Sequence, residues 1–372
     1  MTGQNPREFT IKNPRCLYRI LYINSLLFCN FAFGQGTWDG GGANDNWSTG
    51  ANWVSDTAPA NGGTANLSFA GSIRLTPVTD ANWSILSLGF ASGAGAFTLS
   101  GNTLTIGSGG VSNTSASLQT VSNNITLSAN QSWTAVGGNL RFSGLISLNS
   151  FAWTLNPSSG RIITVSNAVS GAGSLLKAGA GTLALTGTNT FAGGVALSAG
   201  VLSINSGAAL GSGTLSLSGG TLTTTAVSTI TNNVTASGTV IFSGQNQTFS
   251  GGTFTLTANT TLNAAIALTL ANGLAESGGS RSLTKTGSGI LTINNSLSTT
   301  GNVAINAGTL ALGPGVTLPP SNLAFGGGVL AASGSITRNL GTGAGQLRFT
   351  GSGGFAAYGG NLSISGITGV PV

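Results

Sequence analysis

The sequence predicts an all-β solenoid, in which short strands coil repeatedly and each coil stacks on the one before it. Residues 175–204 and 283–312 align without a gap, and what they share is mainly glycines and aliphatic residues. A short G-T-L-x-L tag recurs along the chain, with its central leucine at Leu183, Leu202 and Leu222. This spacing is typical of a solenoid, and we predict one coil for every stretch of roughly 19–22 residues. Apolar and small polar residues alternate within each tag, which indicates half-buried strands.

The positions shared by the two segments define the repeat. They are Gly179, Gly181, Leu183, Gly200 and Leu202 in the first segment, and Gly287, Gly289, Leu291, Gly308 and Leu310 in the second. Because glycine adopts positive φ without steric cost, we predict turns at Gly179 and Gly287 in equivalent coils. Because side chains alternate along a strand, both apolar residues of each tag should face the core. These are Leu183, Leu185, Leu202, Ile204, Leu215, Leu217, Leu291, Ile293, Leu310 and Leu312.

The composition excludes several classes of function. The chain of 372 residues is 40% hydrophobic and only 5% charged, which does not fit a disordered protein. It has no histidine, and Glu276 is the only acidic residue after Trp83. The basic residues are scattered rather than clustered, so nucleic-acid binding is not expected. No cofactor is expected either.

The N-terminal segment, residues 1–34, predicts a signal peptide. Basic residues precede an apolar run over residues 20–33, and Gly34 offers a small residue at the exit. The run is short for a membrane-spanning helix, so we expect cleavage near Gly34 and no integral membrane segment in the mature chain. An uncleaved anchor is the alternative. Both cysteines, Cys16 and Cys29, lie in this segment, and the mature chain would therefore carry no disulfide.

Two further regions are predicted after the signal peptide. Residues 35–84 would form an aromatic-rich N-terminal cap with the first coils, and residues 85–372 the β-helix repeat domain, whose truncation at the C-terminus is left open. Solenoids need a cap over an exposed end. Trp38, Trp47, Trp53 and Trp83 fit this role. Alternatively, these four rings stack on sugars and form a carbohydrate-binding end.

The first segment resembles the autotransporter-associated β-strand repeat of bacterial passenger proteins. The resemblance rests on Lys177, on the glycines and leucines that follow it, and on the run 189–194 (NTFAGG). The second segment keeps Lys285 but loses the N-T-[YF] element at residues 297–299. The opening W-D-G-G at residues 38–41, with Asn-Trp pairs at 46–47 and 52–53, is also similar to such proteins. The resemblance implies a right-handed parallel β-helix, located at the bacterial cell surface or secreted.

Catalytic and metal sites find little support in the sequence. Without histidine there is no Ser-His-Asp triad. The four early carboxylates, Asp39, Asp45, Asp56 and Asp80, mostly adjoin turn residues, where Asp usually caps a turn. The glycine-rich residues 40–48 give one imperfect copy of a calcium nonapeptide that works only in tandem.

We therefore predict a non-catalytic structural or adhesive passenger without a metal site. Its partner would be an unidentified extracellular surface or glycan. The alternative is a carbohydrate-binding surface protein, and a polysaccharide-degrading enzyme ranks third.

Overall fold

The computed structural model describes residues 35–367, and the predicted signal peptide lies outside them. The described residues form a parallel β-solenoid of about 14 turns. Two short 3-10 helices interrupt the strands, at Gly50–Asn52 and Gly207–Leu210. Over residues 35–367, no helix is both long enough and apolar enough to cross a membrane.

Most strands are short, as the alternating tags predicted, but six of those in the described residues are 8–12 residues long. The first third comprises β1 (Gln35–Trp38), β2 (Asn66–Phe69), β3 (Val78–Thr79), β4 (Trp83–Phe90), β5 (Thr98–Gly101), β6 (Leu104–Asn113), β7 (Gln119–Val121), β8 (Ile125–Leu127), β9 (Gln131–Ala135), β10 (Leu140–Phe142), β11 (Ile146–Ser147) and β12 (Trp153–Pro157). The middle third comprises β13 (Ile162–Val165), β14 (Val169–Ser170), β15 (Leu175–Lys177), β16 (Thr182–Leu185), β17 (Val195–Leu197), β18 (Val201–Ile204), β19 (Leu215–Leu217), β20 (Thr221–Thr224), β21 (Ser228–Ile230), β22 (Val234–Gly244) and β23 (Gln247–Phe249). The last third comprises β24 (Phe254–Ala264), β25 (Leu268–Leu270), β26 (Leu274–Glu276), β27 (Leu283–Thr286), β28 (Ile290–Ile293), β29 (Leu297–Ser298), β30 (Val303–Ile305), β31 (Thr309–Leu312), β32 (Leu323–Phe325), β33 (Val329–Thr337), β34 (Leu347–Phe349) and β35 (Gly354–Ser365).

Equivalent strands of successive coils pair in parallel and build three faces, which the chain visits in the order A, B, C. Face A contains β1, β2, β9, β12, β15, β17, β19, β26 and β29, joined by parts of β4, β6, β22 and β24. Face B contains β3, β5, β7, β10, β13, β16, β18, β20, β27, β30, β32 and β34, joined by the later parts of β22 and β24. Face C contains the starts of β4 and β6, then β8, β11, β14, β21, β23, β25, β28, β31, β33 and β35.

The core consists of ladders of aliphatic side chains that stack from coil to coil. Leu183, Leu202 and Leu222 are direct neighbours on face B, and all three are fully buried. All ten tag residues predicted to face inward are buried, which confirms that prediction. Burying one such side chain contributes about 1.5–3 kcal/mol relative to leaving it exposed.

The number of residues in a coil, counted between paired ladder residues, varies along the chain. Leu183 pairs with Leu202 on face B, whereas the coil in which Leu268 pairs with Leu291 on face C is several residues longer. The predicted range of roughly 19–22 residues per coil is thus slightly too narrow. The first coil is longer still, because the segment between β1 and β2 carries an extra loop, residues 39–53. The right-handed sense of the coil stays a prediction.

Candidate functional site

Two lysines occupy positions in the core ladders that neighbouring coils fill with aliphatic residues. Lys177 ends β15 on face A, between Leu155 and Leu197 of the adjacent coils. Lys285 lies in β27 on face B, between Leu262 and Ile305. Both lysines are fully buried. Each four-carbon stem therefore substitutes for a leucine or isoleucine in its ladder.

Each ammonium group binds three backbone carbonyl oxygens at the next corner of the coil. Lys177 Nζ donates to the carbonyl oxygens of Ala178 at 2.5 Å, Gly179 at 2.8 Å and Ala199 at 3.0 Å. A lysine has three N–H donors, so all of them are used. The first two acceptors belong to the same coil and the third to the following coil. We call this arrangement a lysine clamp, because it ties two consecutive corners together.

The second clamp repeats the first atom for atom. Lys285 Nζ donates to the carbonyl oxygens of Thr286 at 2.7 Å, Gly287 at 2.8 Å and Ala307 at 3.2 Å. Burial lowers the pKa of both lysines to about 8. The three carbonyl dipoles around each Nζ act in the opposite direction, because they favour the charged form.

The repeat glycines are required for two different reasons. Gly179, Gly200, Gly287 and Gly308 have φ between 64° and 76°, where other residues are strained. Space is also lacking, because a Cβ on Gly200 would lie 2.7 Å from Lys177 Nζ and 2.4 Å from the Gly179 oxygen.

The remaining pair of glycines lacks the positive φ and is constrained by space alone. A Cβ on Gly181 would lie 2.2 Å from the Ser158 oxygen, and one on Gly289 would lie 2.2 Å from the Ile266 oxygen. Real Cβ atoms do not approach backbone oxygens this closely. These two positions therefore need glycine because the preceding coil passes next to them.

The two clamps lie on different edges of the solenoid. The first spans the corner between faces A and B, since β15 belongs to face A and β16 to face B. The second spans the corner between faces B and C, since β27 belongs to face B and β28 to face C. The prediction that Gly179 and Gly287 lie in equivalent coils is therefore wrong in one respect. Each repeat segment specifies one corner of the solenoid. Along the chain, the second corner lies five coils and one face after the first.

An aromatic cluster fills the first coils. The Phe69 ring lies 5.4–5.9 Å, centroid to centroid, from five other rings. Those rings belong to Trp38, Trp47, Trp53, Phe90 and Phe97. Trp83 packs on Trp47 at 5.5 Å.

The four tryptophans singled out from the sequence are brought together, but they are not on the surface. Trp38, Trp47 and Trp53 are fully buried and Trp83 is 5% exposed. The Trp53 indole donates to the Trp47 carbonyl oxygen at 2.7 Å, whereas the indole N–H groups of Trp38 and Trp47 are buried without an acceptor among residues 35–367.

Three of the early carboxylates hold the loop of residues 39–53 in place. Asp45 forms an ion pair with Arg74 at 3.0 Å and accepts a hydrogen bond from Thr76 at 2.9 Å. Asp80 accepts hydrogen bonds from the backbone and hydroxyl of Ser48. Burial alone would raise the pKa of Asp80, but these hydrogen bonds outweigh it and lower that pKa. Asp39 caps its own turn by accepting from the Gly41 N–H at 3.1 Å.

Sequence reasoning missed the clamps, although a signal was present. Lys177 and Lys285 stand where other coils have aliphatic residues, two positions before a glycine with positive φ. A lysine placed in a hydrophobic ladder must find acceptors inside the fold, and backbone carbonyls at a tight corner supply them.

The structural role of Asn189 was missed as well, because the sequence shows it only as a motif residue. It is 7% exposed and links three coils, since it accepts from the Val169 N–H at 2.8 Å and donates to the Ala209 oxygen at 2.6 Å.

Comparison with known proteins identifies the same two segments. Residues 175–204 and 283–312 match the family model Passenger-associated-transport-repeat. The chain is also 47% identical, over 57 residues, to the Adhesin BmaC autotransporter of Brucella suis biovar 1 (strain 1330). This alignment covers 15% of the chain and 2% of that adhesin, so the chain spans only a small part of it. No solved structure matches the chain significantly.

These matches confirm the resemblance drawn from the residues. Lys177, Gly179, Gly200 and their counterparts lie inside the two matched segments, and they are the residues that build the clamps. The chain is thus a solenoid protein that carries two passenger-associated transport repeats.

Proposed function

We propose that this chain is part of an exported, adhesin-like passenger, in which the solenoid is a non-catalytic scaffold at the bacterial surface. The observation that carries the proposal is the run of in-register parallel strands from β1 to β35, with two passenger-type repeats built into it. Each coil packs only on its neighbours, so such a scaffold presents an extended surface to a partner.

The engaged carboxylates support the non-catalytic part of the proposal. Asp45 forms an ion pair with Arg74, and Asp80 accepts a hydrogen bond from the Ser48 N–H. Glu276 accepts hydrogen bonds from the Arg281 N–H and from Thr300. A hydrolase or lyase needs an acid and a base that face a substrate.

The aromatic cluster has a structural role in this proposal. Packed rings from Trp38 to Phe97 cover the end of the core at the first coils, where no preceding coil among the described residues stacks on them. The alternative, carbohydrate binding through these tryptophans, requires ring faces at the surface. Because the rings are buried, we place partner contacts on the outer faces of the solenoid instead.

The test combines location with adhesion. The full-length chain, produced in a bacterial host, should be accessible to antibody on intact cells or be recovered from the medium. Beads coated with the purified chain should adhere to host-cell or glycan surfaces more than beads coated with the heat-unfolded chain. Confinement to the cytoplasm would overturn the proposed export, and equal adhesion of both bead types would overturn the adhesin-like role.

A further inference from the structure

A small pocket lies near the last coils, between the loop that follows β31 and the second half of β33. Its volume is about 210 Å³. It is lined by residues 316–318 and 335–338, together with Leu312, Ala332 and Ser333. Ligand sites for drug-sized molecules are usually larger, so this pocket fits a compound of only a few heavy atoms.

Arg338 forms part of the pocket wall and carries an uncompensated charge. Its side chain is more than nine-tenths buried, and it has no carboxylate partner among residues 35–367. Glu276, the only acidic residue after Trp83, is held by Arg281 and Thr300. Burial without a counter-charge lowers the pKa of Arg338. A buried charge of this kind is costly unless hydrogen bonds or an anion compensate for it.

The guanidinium group is only partly satisfied by the protein. Nη1 donates to the carbonyl oxygens of Ser321 at 2.5 Å and Gln346 at 3.4 Å, and Nη2 donates to that of Pro319 at 2.5 Å. A guanidinium has five N–H donors, so Nε–H and one N–H of Nη2 have no acceptor within the described chain. Nε and an Nη atom are the donor pair that a carboxylate accepts in a bidentate manner.

The rest of the lining adds an apolar part and hydroxyl groups. Leu312, Val316 and Ile336 supply aliphatic surface, while Thr317, Ser333 and Ser335 supply hydroxyls. A ligand with one carboxylate and a short aliphatic chain satisfies both parts at once. We propose that this pocket binds a small aliphatic monocarboxylate, with Arg338 as the anion-binding residue.

The experiment uses the full-length chain and two probes that differ only in charge. Butyrate should bind saturably, as measured by isothermal titration and by ligand-observed NMR, with a Kd on the order of 1 mM. Butyramide should bind at least about tenfold more weakly, since it cannot compensate the charge of Arg338.

Three variants assign the site. Arg338→Met should abolish butyrate binding, whereas Arg348→Met, a matched change in β34, the next strand along the chain, should leave it unchanged. Because Arg338→Met also removes donors from three carbonyls, Ser335→Glu is the second variant. It keeps Arg338 and puts a carboxylate at the pocket mouth, so it should weaken butyrate binding by at least about tenfold.

The outcomes that overturn the proposal are equally specific. They are equal binding of butyrate and butyramide, no saturable butyrate binding by the folded chain, or unchanged binding in Ser335→Glu. Inorganic phosphate binding as tightly as butyrate would show a general anion site, and would overturn the monocarboxylate assignment.

Discussion

The two repeat segments, residues 175–204 and 283–312, show which part of a solenoid repeat is essential and which part is adjustable. Both build a lysine clamp with nearly the same three distances, although one clamp lies between faces A and B and the other between faces B and C. The corner is therefore a self-contained unit. It needs one buried lysine, glycines with positive φ in two consecutive coils, and apolar neighbours above and below.

The segments differ in the connection that follows the second strand. In the first segment, Asn189 binds the backbone of both adjacent coils and Phe191 is fully buried. In the second, the aligned residues are Leu297 and Thr299, and the Thr299 hydroxyl is buried without a partner in the described part of the chain. The N-T-F element thus satisfies backbone groups of neighbouring coils, and its loss leaves one polar group unsatisfied. The clamp is retained in both segments, whereas this link is retained in only one.

The largest expected effect comes from the clamp glycines. Gly200→Val should lower the free energy of unfolding by about 3 kcal/mol or more, since it adds positive-φ strain to a clash with Lys177 Nζ. Gly308→Val should have a similar effect at the other corner. Urea denaturation of the full chain measures both, with the exposed change Thr188→Ser as the control expected to have almost no effect. A tolerated valine at either glycine would contradict the equivalence of the corners.

The clamp lysines come next. Lys177→Met preserves the apolar stem but leaves three carbonyls without a donor, and each unsatisfied buried group costs about 1–3 kcal/mol. Relief of the buried charge offsets part of this loss, so a net destabilisation of about 1–3 kcal/mol is expected. Lys285→Met should give the same value within about 0.5 kcal/mol. A stabilising Lys→Met change would show that the hydrogen bonds do not outweigh the cost of burying the charge.

Mutations in the connection that follows the second strand should have different effects on stability in the two segments. Asn189→Ala should destabilise the chain by about 1–2 kcal/mol, because it leaves buried backbone groups of Val169 and Ala209 unpaired. Thr299→Val, a change of similar shape, should be neutral or stabilise by up to about 1 kcal/mol, because it removes an unpartnered hydroxyl. Thermal and urea unfolding measure both variants, and losses of equal size would mean that the segments do not differ here.

The smallest effect is a dependence of stability on pH. The pKa of each clamp lysine falls from an ordinary 10.5 to about 8 in the folded state. Between these values the unfolded chain binds more protons than the folded chain, so stability should rise as pH increases from about 8 to about 10.5. Below pH 8 the full cost of burying the charge is present. The carbonyl acceptors reduce this cost, so a gain of about 1 kcal/mol per lysine is expected.

The control for the pH effect is the double variant Lys177→Met, Lys285→Met, which lacks both titrating groups. Its free energy of unfolding, measured by urea denaturation, should not change over the same pH range. A wild-type chain that instead loses stability above pH 8 would contradict this prediction. It would mean that the hydrogen bond lost when the ammonium is deprotonated stabilises the fold more than burial of the charge destabilises it.

The sequence by itself determined the class of fold, the identity of the core residues and the turn glycines. This was possible because alternation and glycine placement are local properties, and every coil must solve the same packing problem. The ten tag residues from Leu183 to Leu312 could be placed inside from their period alone. The resemblance to a passenger repeat also followed from local pattern.

Only the tertiary structure decided which face each repeat occupies and what the two repeated lysines do. The face depends on the summed lengths of all intervening coils, and these lengths differ between face B and face C. Lysine is ordinarily a surface residue, so its position in a ladder becomes informative only once Leu155 and Leu197 are seen above and below it. The same holds for the tryptophans. Their clustering was visible in the sequence, whereas their burial results from the packing of separate chain segments around Phe69.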